Sequence, residues 1–431
     1  MFMLCTGMHS FDQYLGYFLR ILTIQGDVMK LKPACLQFKS LVTPVLLGLL
    51  SAQVYALPKA PGIAYHPIHY KPNTPHFMPS GLTPNQVSTA YGFSLIGGQG
   101  QGQVIAIVDA FDDPNIESDL GVFSKQFGLP ACTTANGCFK KLYANGKKPN
   151  TDPGWSGEIA LDVEWAHAMA PAAKIILVEA ADDSLDNLFK AIQVAVNNGA
   201  TVVSMSWGGQ EFQQQTEFDS IFNNPKVTFT ASSGDNGDGT IYPASSPYVI
   251  GVGGTTLYVD SYGNYQGESA WSGSGGGVST IETWPASQSN LPIPQSNNMR
   301  GVPDVAYNAD PNTGFSVYNT VPGDGGVGWA VVGGTSAGAP QWAAIVAVAN
   351  STLSSVLGGN FANLLYAAAN PSTGNYYYDF NDITDGTNGN CGFYCTAQAG
   401  YDYVTGLGSP FLGNLIQDLP NYQLARTSPQ R

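Results

Sequence analysis

Short apolar runs recur along the chain from about residue 100, separated by stretches whose apolar positions fall at helical spacing. Val104 to Val108, Lys174 to Val178, Thr201 to Met205, Val227 to Thr230 and Tyr248 to Val252 lack the alternation of a half-exposed strand. Runs of that kind read as strands covered on both faces. Between two of them, Leu185, Leu188, Ile192 and Val196 form one apolar stripe. Ser184 stands where it would cap that helix, and Gly199 ends it before the strand at Thr201. The alternation predicts an α/β fold in three layers, with a mostly parallel central sheet and helices on both faces.

From Leu57 to about Ser80 the text changes. Pro58, Pro61, Pro67, Pro72, Pro75 and Pro79 interrupt it with no apolar period, so residues 57–80 read as an extended Pro-rich linker or a short propeptide remnant. Folded sequence begins near Gly81 and runs to about residue 420 as one domain, 81–420, followed by a tail, 421–431. Upstream, Lys30, Lys32 and Lys39 precede the apolar run Leu41 to Leu50, and small residues reach Ala56. That is the plan of a secretory signal starting at Met29 within a leader of residues 1–56, cleaved after Ala56. Its apolar stretch of about ten residues falls short of the roughly 20 that cross a bilayer. A secreted protein, extracellular or periplasmic and free of the membrane after cleavage, is the expectation.

Charge narrows the partners. With 17 Lys+Arg against 31 Asp+Glu the formal net charge is -14, which argues against nucleic acid and anionic membrane surfaces, since both demand basic patches. Of five histidines, His9, His66, His69 and His76 fall in the leader or the Pro-rich stretch, leaving His167 in the domain. A zinc site built from several imidazoles has no ligands there, so acid–base work falls to carboxylates. Once Cys5 and Cys35 leave with the leader, the other cysteines form two close pairs, Cys132 with Cys138 and Cys391 with Cys395. In an exported protein each pair is expected to close a small disulfide loop.

Candidate chemistry lies in four segments. The loop after Val108 reads Asp109-Ala110-Phe111-Asp112-Asp113, at the carboxyl end of a strand, where parallel sheets gather functional loops; capping of a following helix accounts for it equally well. Ser156 to Met169 is rich in helix formers and stops at Pro171, placing Glu158 and Asp162 four apart on one face. Two carboxylates held that close cannot both ionise cheaply, so the pair can hold and pass a proton; a solvated helix face carries such pairs too. Gly333-Gly334-Thr335-Ser336-Ala337-Gly338-Ala339-Pro340 precedes an apolar helix, Gln341 to Val348, and sets Ser336 at its N-terminus. There the hydroxyl is either a nucleophile beside free N–H groups or a plain N-cap. Ser232-Ser233-Gly234-Asp235-Asn236-Gly237 follows another strand, and Asp235 reads as a turn residue or, if protonated, as a donor to an oxyanion.

Taken in order, these segments resemble the sedolisin family, the serine-carboxyl peptidases that share the subtilisin-like fold and carry Glu in place of its His. The resemblance runs from Leu82-Thr83-Pro84 through Gly157 to Asp162, Ser204-Met205-Ser206-Trp207-Gly208-Gly209, Ser233-Gly234-Asp235, Trp271-Ser272 with Gly275-Gly276-Gly277, Pro303-Asp304-Val305-Ala306, Gly334-Thr335-Ser336 and Gly406-Leu407-Gly408-Ser409-Pro410. It implies Ser336 as nucleophile, Glu158 as its base, Asp162 as the supporting carboxylate and Asp235 as the oxyanion partner. It further implies that Ser206, Trp207 and Gly208 line the substrate cleft, and that Asp109 is an outer link to the carboxylates. Residues 81–420 would then be the catalytic domain of a monomeric acid peptidase acting on proteins or peptides, with endopeptidase action preferred to tripeptidyl-peptidase action.

The same resemblance implies one structural Ca²⁺, held by the carboxylates of Asp382 and Asp402 with carbonyls of Ile383, Gln398 and Gly400, oxygen donors that suit a hard cation. Gln398 stands where the family usually has Gly. The resemblance also implies a large pro-domain, for which Leu57 to about Ser80 is too short. Two other readings compete: a subtilisin-like triad of Asp109, His167 and Ser336, and a non-catalytic, calcium-stabilised secreted binding protein. The triad is weakened because His167, five residues beyond Asp162, lies about 140° around the same helix.

Overall fold

The structure is a computed structural model that describes residues 58–427 apart from Pro75, Pro292, Ser354, Ser355 and Thr373; the leader and the signal read in it lie outside the described residues, as do residues 428–431. Eight strands form the central sheet. Its order is Tyr265–Ala270, Ile250–Val259, Thr228–Ser232, Val202–Met205, Val104–Ala110, Lys174–Ala180 and Phe139–Tyr143, with Val305–Asn308 also joined to Ile250–Val259. Every pairing is parallel except that of Tyr265–Ala270. This is the expected subtilisin-like α/β architecture.

Alternation along each central strand divides the interior into two cores. Ile105 and Ile107 enter one, while Ala106, Val108 and Ala110 enter the other. Ile175 and Leu177 pair with Ile105 and Ile107 on the neighbouring strand. The helices Pro153–Met169 and Gly338–Thr352 fill the first core, and Leu185–Asn197 fills the second. By this alternation Asp109 and Glu179, opposite one another in the parallel register, stand on the side of the first two helices.

Local chemistry explains where these helices begin. Asp152 caps Pro153–Met169 by accepting from the Gly154 and Trp155 amides, and Pro153 occupies the first turn. The Ser184 side chain accepts from Asn187 N, and Gly199 takes the left-handed conformation just beyond the other end. Pro153–Met169 is buried all round from Trp155 to Met169, as a helix enclosed between sheet and neighbouring helices must be. The serine turn leads into Gly338–Thr352, three residues earlier than the apolar run at Gln341 suggests.

Residues 57–80 differ most from their expectation as a linker. His69–Tyr70 is a strand, paired antiparallel with Gly328–Gly333 so that His69 faces Gly333, and Gly328–Gly333 pairs in turn with Phe315–Asn319. Ile63 bridges Ser184, and Tyr65 bridges Gly208. The described part of this segment is a strap laid across the carboxyl side of the sheet.

Candidate active site

The acidic pair is not a solvated face. Glu158 and Asp162 are both fully buried, and no oxygen of either makes a well-formed hydrogen bond among the described residues. Burial raises the Glu158 carboxyl above the usual carboxylate range, while His66 and the Ser336 hydroxyl beside it favour the charged form. Asp162 is raised further, by burial first and then by the charges of Asp109 and Glu158. The stronger shift at Asp162 favours Glu158 as the first of the two to ionise, an arrangement that can pass a proton.

Ser336 sits in a short turn, Thr335–Ala337, entered through Gly334 at φ 115. A Cβ there would lie 1.9 Å from the Pro67 carbonyl oxygen and 2.5 Å from Asp235 Oδ2, so only glycine fits. Ser336 and Ser206 are tied reciprocally: the Ser206 hydroxyl donates to the Ser336 carbonyl at 3.1 Å, and the Ser336 hydroxyl to the Ser206 carbonyl at 3.4 Å. Asp235 is buried, and its carboxyl is raised by that burial. Its Oδ1 accepts from the Thr335 amide at 2.8 Å and the Thr335 hydroxyl at 2.7 Å. One oxygen is thereby anchored, and the other, Oδ2, lies 3.2 Å from His69 Nε2.

Asp109 lies behind the pair. Neither of its oxygens has a hydrogen-bond partner among the described residues, and burial, then the charges of Glu158 and Glu179, hold it well above the usual range. Glu179 is raised to about 8 by burial, although Lys141 Nζ lies 2.8 Å from it and the Asp113 amide donates to it at 3.0 Å. Lys141 also pairs with Asp112 at 2.7 Å. The line from Ser336 therefore runs through Glu158, Asp162, Asp109 and Glu179 before meeting a lysine.

The other expected residues separate. Gly208 meets the strap through its backbone, but the Trp207 ring is buried beneath the cleft, donating to the Val108 carbonyl at 2.6 Å and packing 6.4 Å from Phe189. Trp207 thus supports the cleft floor instead of facing a substrate. His167 lies apart, 2.8 Å from the Pro130 carbonyl, with burial lowering its basicity. Cys132–Cys138 and Cys391–Cys395 are disulfides.

Reading by residue type missed Thr335, whose role depends on meeting Asp235 across the fold, and it missed two histidines. His66 Nδ1 lies 3.6 Å from Glu158, and His69 Nε2 lies 3.2 Å from Asp235. The signal available for them was their place on either side of Pro67, in text with no period of its own.

Of the residues expected to hold calcium, Asp382 and Gly400 are in direct contact. Asp382 accepts from the Gly400 amide and from the Tyr376 hydroxyl. Asp402 accepts from the Gln398, Val404 and Thr405 amides and is raised to about 6 by burial. Neither has an ion-pair partner among the described residues. Carboxylates and backbone carbonyls are the kind of donors a hard cation takes. Gln398 keeps a negative φ, so replacing the usual Gly brings no backbone strain.

The sequence profile described as the subtilase family matches residues 146–387. Kumamolisin of Bacillus sp. (strain MN-32) is 36% identical over 380 residues, which span 79% of this chain and 64% of that protein. Sedolisin of Pseudomonas sp. (strain 101) is 30% identical over 378 residues, 79% of this chain and 59% of that protein. The chain thus spans less than two thirds of the length of either relative. Among solved structures, Pseudomonas sedolisin, a serine-carboxyl proteinase complexed with two molecules of pseudo-iodotyrostatin, is similar at a TM-score of 0.69 and 28% identity, covering 80% of this chain and 99% of that one.

Proposed function

Since the chain belongs to the subtilase family, on its serine-carboxyl branch, we propose that it hydrolyses peptide bonds of proteins or peptides at acid pH through Ser336. The observation that carries this reading is the fully buried Glu158 beside the Ser336 hydroxyl, with Asp162 one helical turn further on.

In the proposed reaction Ser336 Oγ attacks the substrate carbonyl carbon and its proton passes to ionised Glu158, while Asp162 retains its own proton and supports the carboxylate. The carbonyl π electrons move to oxygen, and the resulting oxyanion accepts a hydrogen bond from protonated Asp235 Oδ2. Collapse breaks the C–N bond as Glu158 returns the proton to the leaving amine. Water then attacks the acyl-enzyme by the same steps and releases the acid product. Asp109 acts behind the pair by keeping Asp162 protonated. Ca²⁺ would be held by Asp382, Asp402 and the carbonyls of Ile383, Gln398 and Gly400, where it would fix the loop. A secreted, monomeric enzyme is part of the proposal, supported by the signal-like leader and the two disulfides; no described helix is long and apolar enough to cross a membrane.

The test is a pH–rate profile on a denatured protein substrate. A bell on the acid side of neutrality, abolished by Ser336→Ala, is expected, because raised carboxyl pKa values keep Asp162 and Asp235 protonated while Glu158 ionises. Ser336-independent activity, or an optimum at neutrality that disappears in His167→Ala, would overturn it.

A further inference from the structure

We propose that Cys132, Cys138 and His167 form a latent metal site: once the Cys132–Cys138 disulfide is reduced, the two thiolates and the imidazole bind one Zn²⁺. The inference does not rest on the peptidase reading. The two sulfurs and a ring nitrogen of His167 already lie within 4.8 Å of one another. Ligands of the type that zinc takes are therefore gathered before any metal arrives. Cys132 and His167 are buried while Cys138 is partly exposed, which gives reductant and metal a way in from one side.

The imidazole is prepared as a ligand. Its Nε2 lies 2.8 Å from the Pro130 carbonyl oxygen. A carbonyl only accepts, so Nε2 carries the hydrogen and Nδ1 presents a lone pair. That Nδ1 is buried with no hydrogen-bond partner among the described residues, an uncommon state for a polar atom in an interior. Burial also lowers the basicity of the ring, which favours the neutral form that a metal needs. One ring N–H held by a backbone carbonyl, with the other nitrogen free, is the arrangement that fixes the tautomer and orientation of metal-binding histidines.

The loop that carries the cysteines has supports besides the sulfur–sulfur bond. Asn136 Oδ1 accepts from the Thr133 and Cys138 amides at 3.1 and 3.0 Å, and its Nδ2 donates to the Ala131 carbonyl at 2.8 Å. The Phe139 amide donates to the Thr133 carbonyl at 3.1 Å, and the Ile175 amide to the Cys138 carbonyl at 2.8 Å. Reduction therefore lets the sulfurs part by rotation of their side chains while the backbone around them stays tied. His167 stands in the last turn of Pro153–Met169, the helix that bears Glu158 and Asp162. A bound ion would thus exchange a covalent link within the loop for one from the loop to that helix.

The steps balance. A dithiol gives two electrons and two protons to the disulfide and closes its own, leaving two cysteine thiols, and Zn²⁺ then displaces both thiol protons. Two thiolates, one imidazole and a water fill four positions around the ion.

The test titrates Co²⁺ and then Zn²⁺ into the full chain, oxidised and after reduction by a water-soluble phosphine, which becomes its oxide with oxygen from water and leaves no competing dithiol. The parent is compared with Cys132→Ser/Cys138→Ser, His167→Ala and His167→Gln by absorption and thermal melts. The reduced parent is expected to show a thiolate-to-cobalt band worth one ion more than the double-serine variant, which accounts for the remaining cysteines, and Zn²⁺ should bleach it. The oxidised parent should lack it. Whichever His167 variant melts like the parent when oxidised should bind at least about tenfold more weakly, since losing a ligand costs no less than losing the group that orients it. Zn²⁺ should raise the melting temperature of the reduced parent alone. Equal spectra in the reduced parent and the double-serine variant, equal affinity in the His167 variants, or a band that persists in urea overturns the proposal. So does a reduced chain that has lost its melting transition and does not regain it with Zn²⁺.

Discussion

Two fully enclosed acidic sites in this molecule are built on opposite terms. Asp304 is surrounded by donors: Arg300 reaches both its oxygens at 2.7 and 2.5 Å, the Gly251 amide donates at 2.7 Å and the Tyr366 hydroxyl at 2.7 Å. Asp109, Glu158 and Asp162 are buried side by side, with no well-formed hydrogen bond to any of their oxygens among the described residues. Desolvation is answered at Asp304 by a guanidinium. At the carboxylate cluster it is answered by protons retained on Asp109 and Asp162, whose carboxyls burial holds well above the usual range. A buried acid that is fully paired holds the fold; one left wanting donors is available for proton transfer.

The largest effect that tests this contrast is on turnover. Glu158→Gln removes the base and keeps the shape, so the rate on a denatured protein should fall by about 10³-fold or more, with thermal stability at neutral pH unchanged or raised. Replacing Asp304 by Ala should do the reverse. It leaves the Arg300 charge with backbone carbonyls but no carboxylate and costs about 3–5 kcal/mol in urea unfolding, with activity lost only as the chain unfolds.

Calcium would make a third kind of acidic site, its carboxylates answered by a metal. Chelation should lower the unfolding temperature by the equivalent of about 2–3 kcal/mol if the ion stands near a hundredfold above its dissociation constant. Asp382→Asn should remove most of that sensitivity to chelator.

The smallest expected effect sharpens the comparison most. The Asp109 carboxyl is raised in the folded chain, so folding takes up a proton. Stability is therefore full below the unfolded value of about 3.9 and is lost as pH rises toward the raised folded value. Asp109→Asn mimics the protonated acid. It should raise the unfolding temperature by a few degrees at pH 7 and change it little at pH 3, as thermal melts at the two pH values would show.

Much of this was legible in the sequence where one segment carried its own pattern. Fully apolar strands announced a sheet covered on both faces, Ser184 and Gly199 marked a helix, and the spacing of Glu158 and Asp162 put them on one face. Strand ends were less legible. The apolar runs stop at Val108 and Val178, but the ladders continue through Asp109–Ala110 and Glu179–Ala180, because a polar residue can occupy the last rungs when other acids lie beside it. Thr335 as the anchor of Asp235 and the strap at 63–70 were hidden for a common reason. Their partners are backbone or side chains about a hundred residues away or more, and an extended segment pairing with backbone edges needs no periodic side chains.

The strand Gly328–Gly333 has a consequence beyond catalysis. With His69–Tyr70 in place both its sides are paired; with that cover gone, a row of backbone donors and acceptors faces solvent. Such an edge accepts any extended chain, including a second molecule's loose segment, and invites self-association. The formal charge of -14 is a safeguard that works while the surface carboxylates are ionised, because like-charged molecules stay dispersed. Acidification erodes it. The conditions proposed for activity are therefore also those in which colloidal stability is lowest, so clouding of concentrated solutions should begin at low pH and be more pronounced in variants that release the strap.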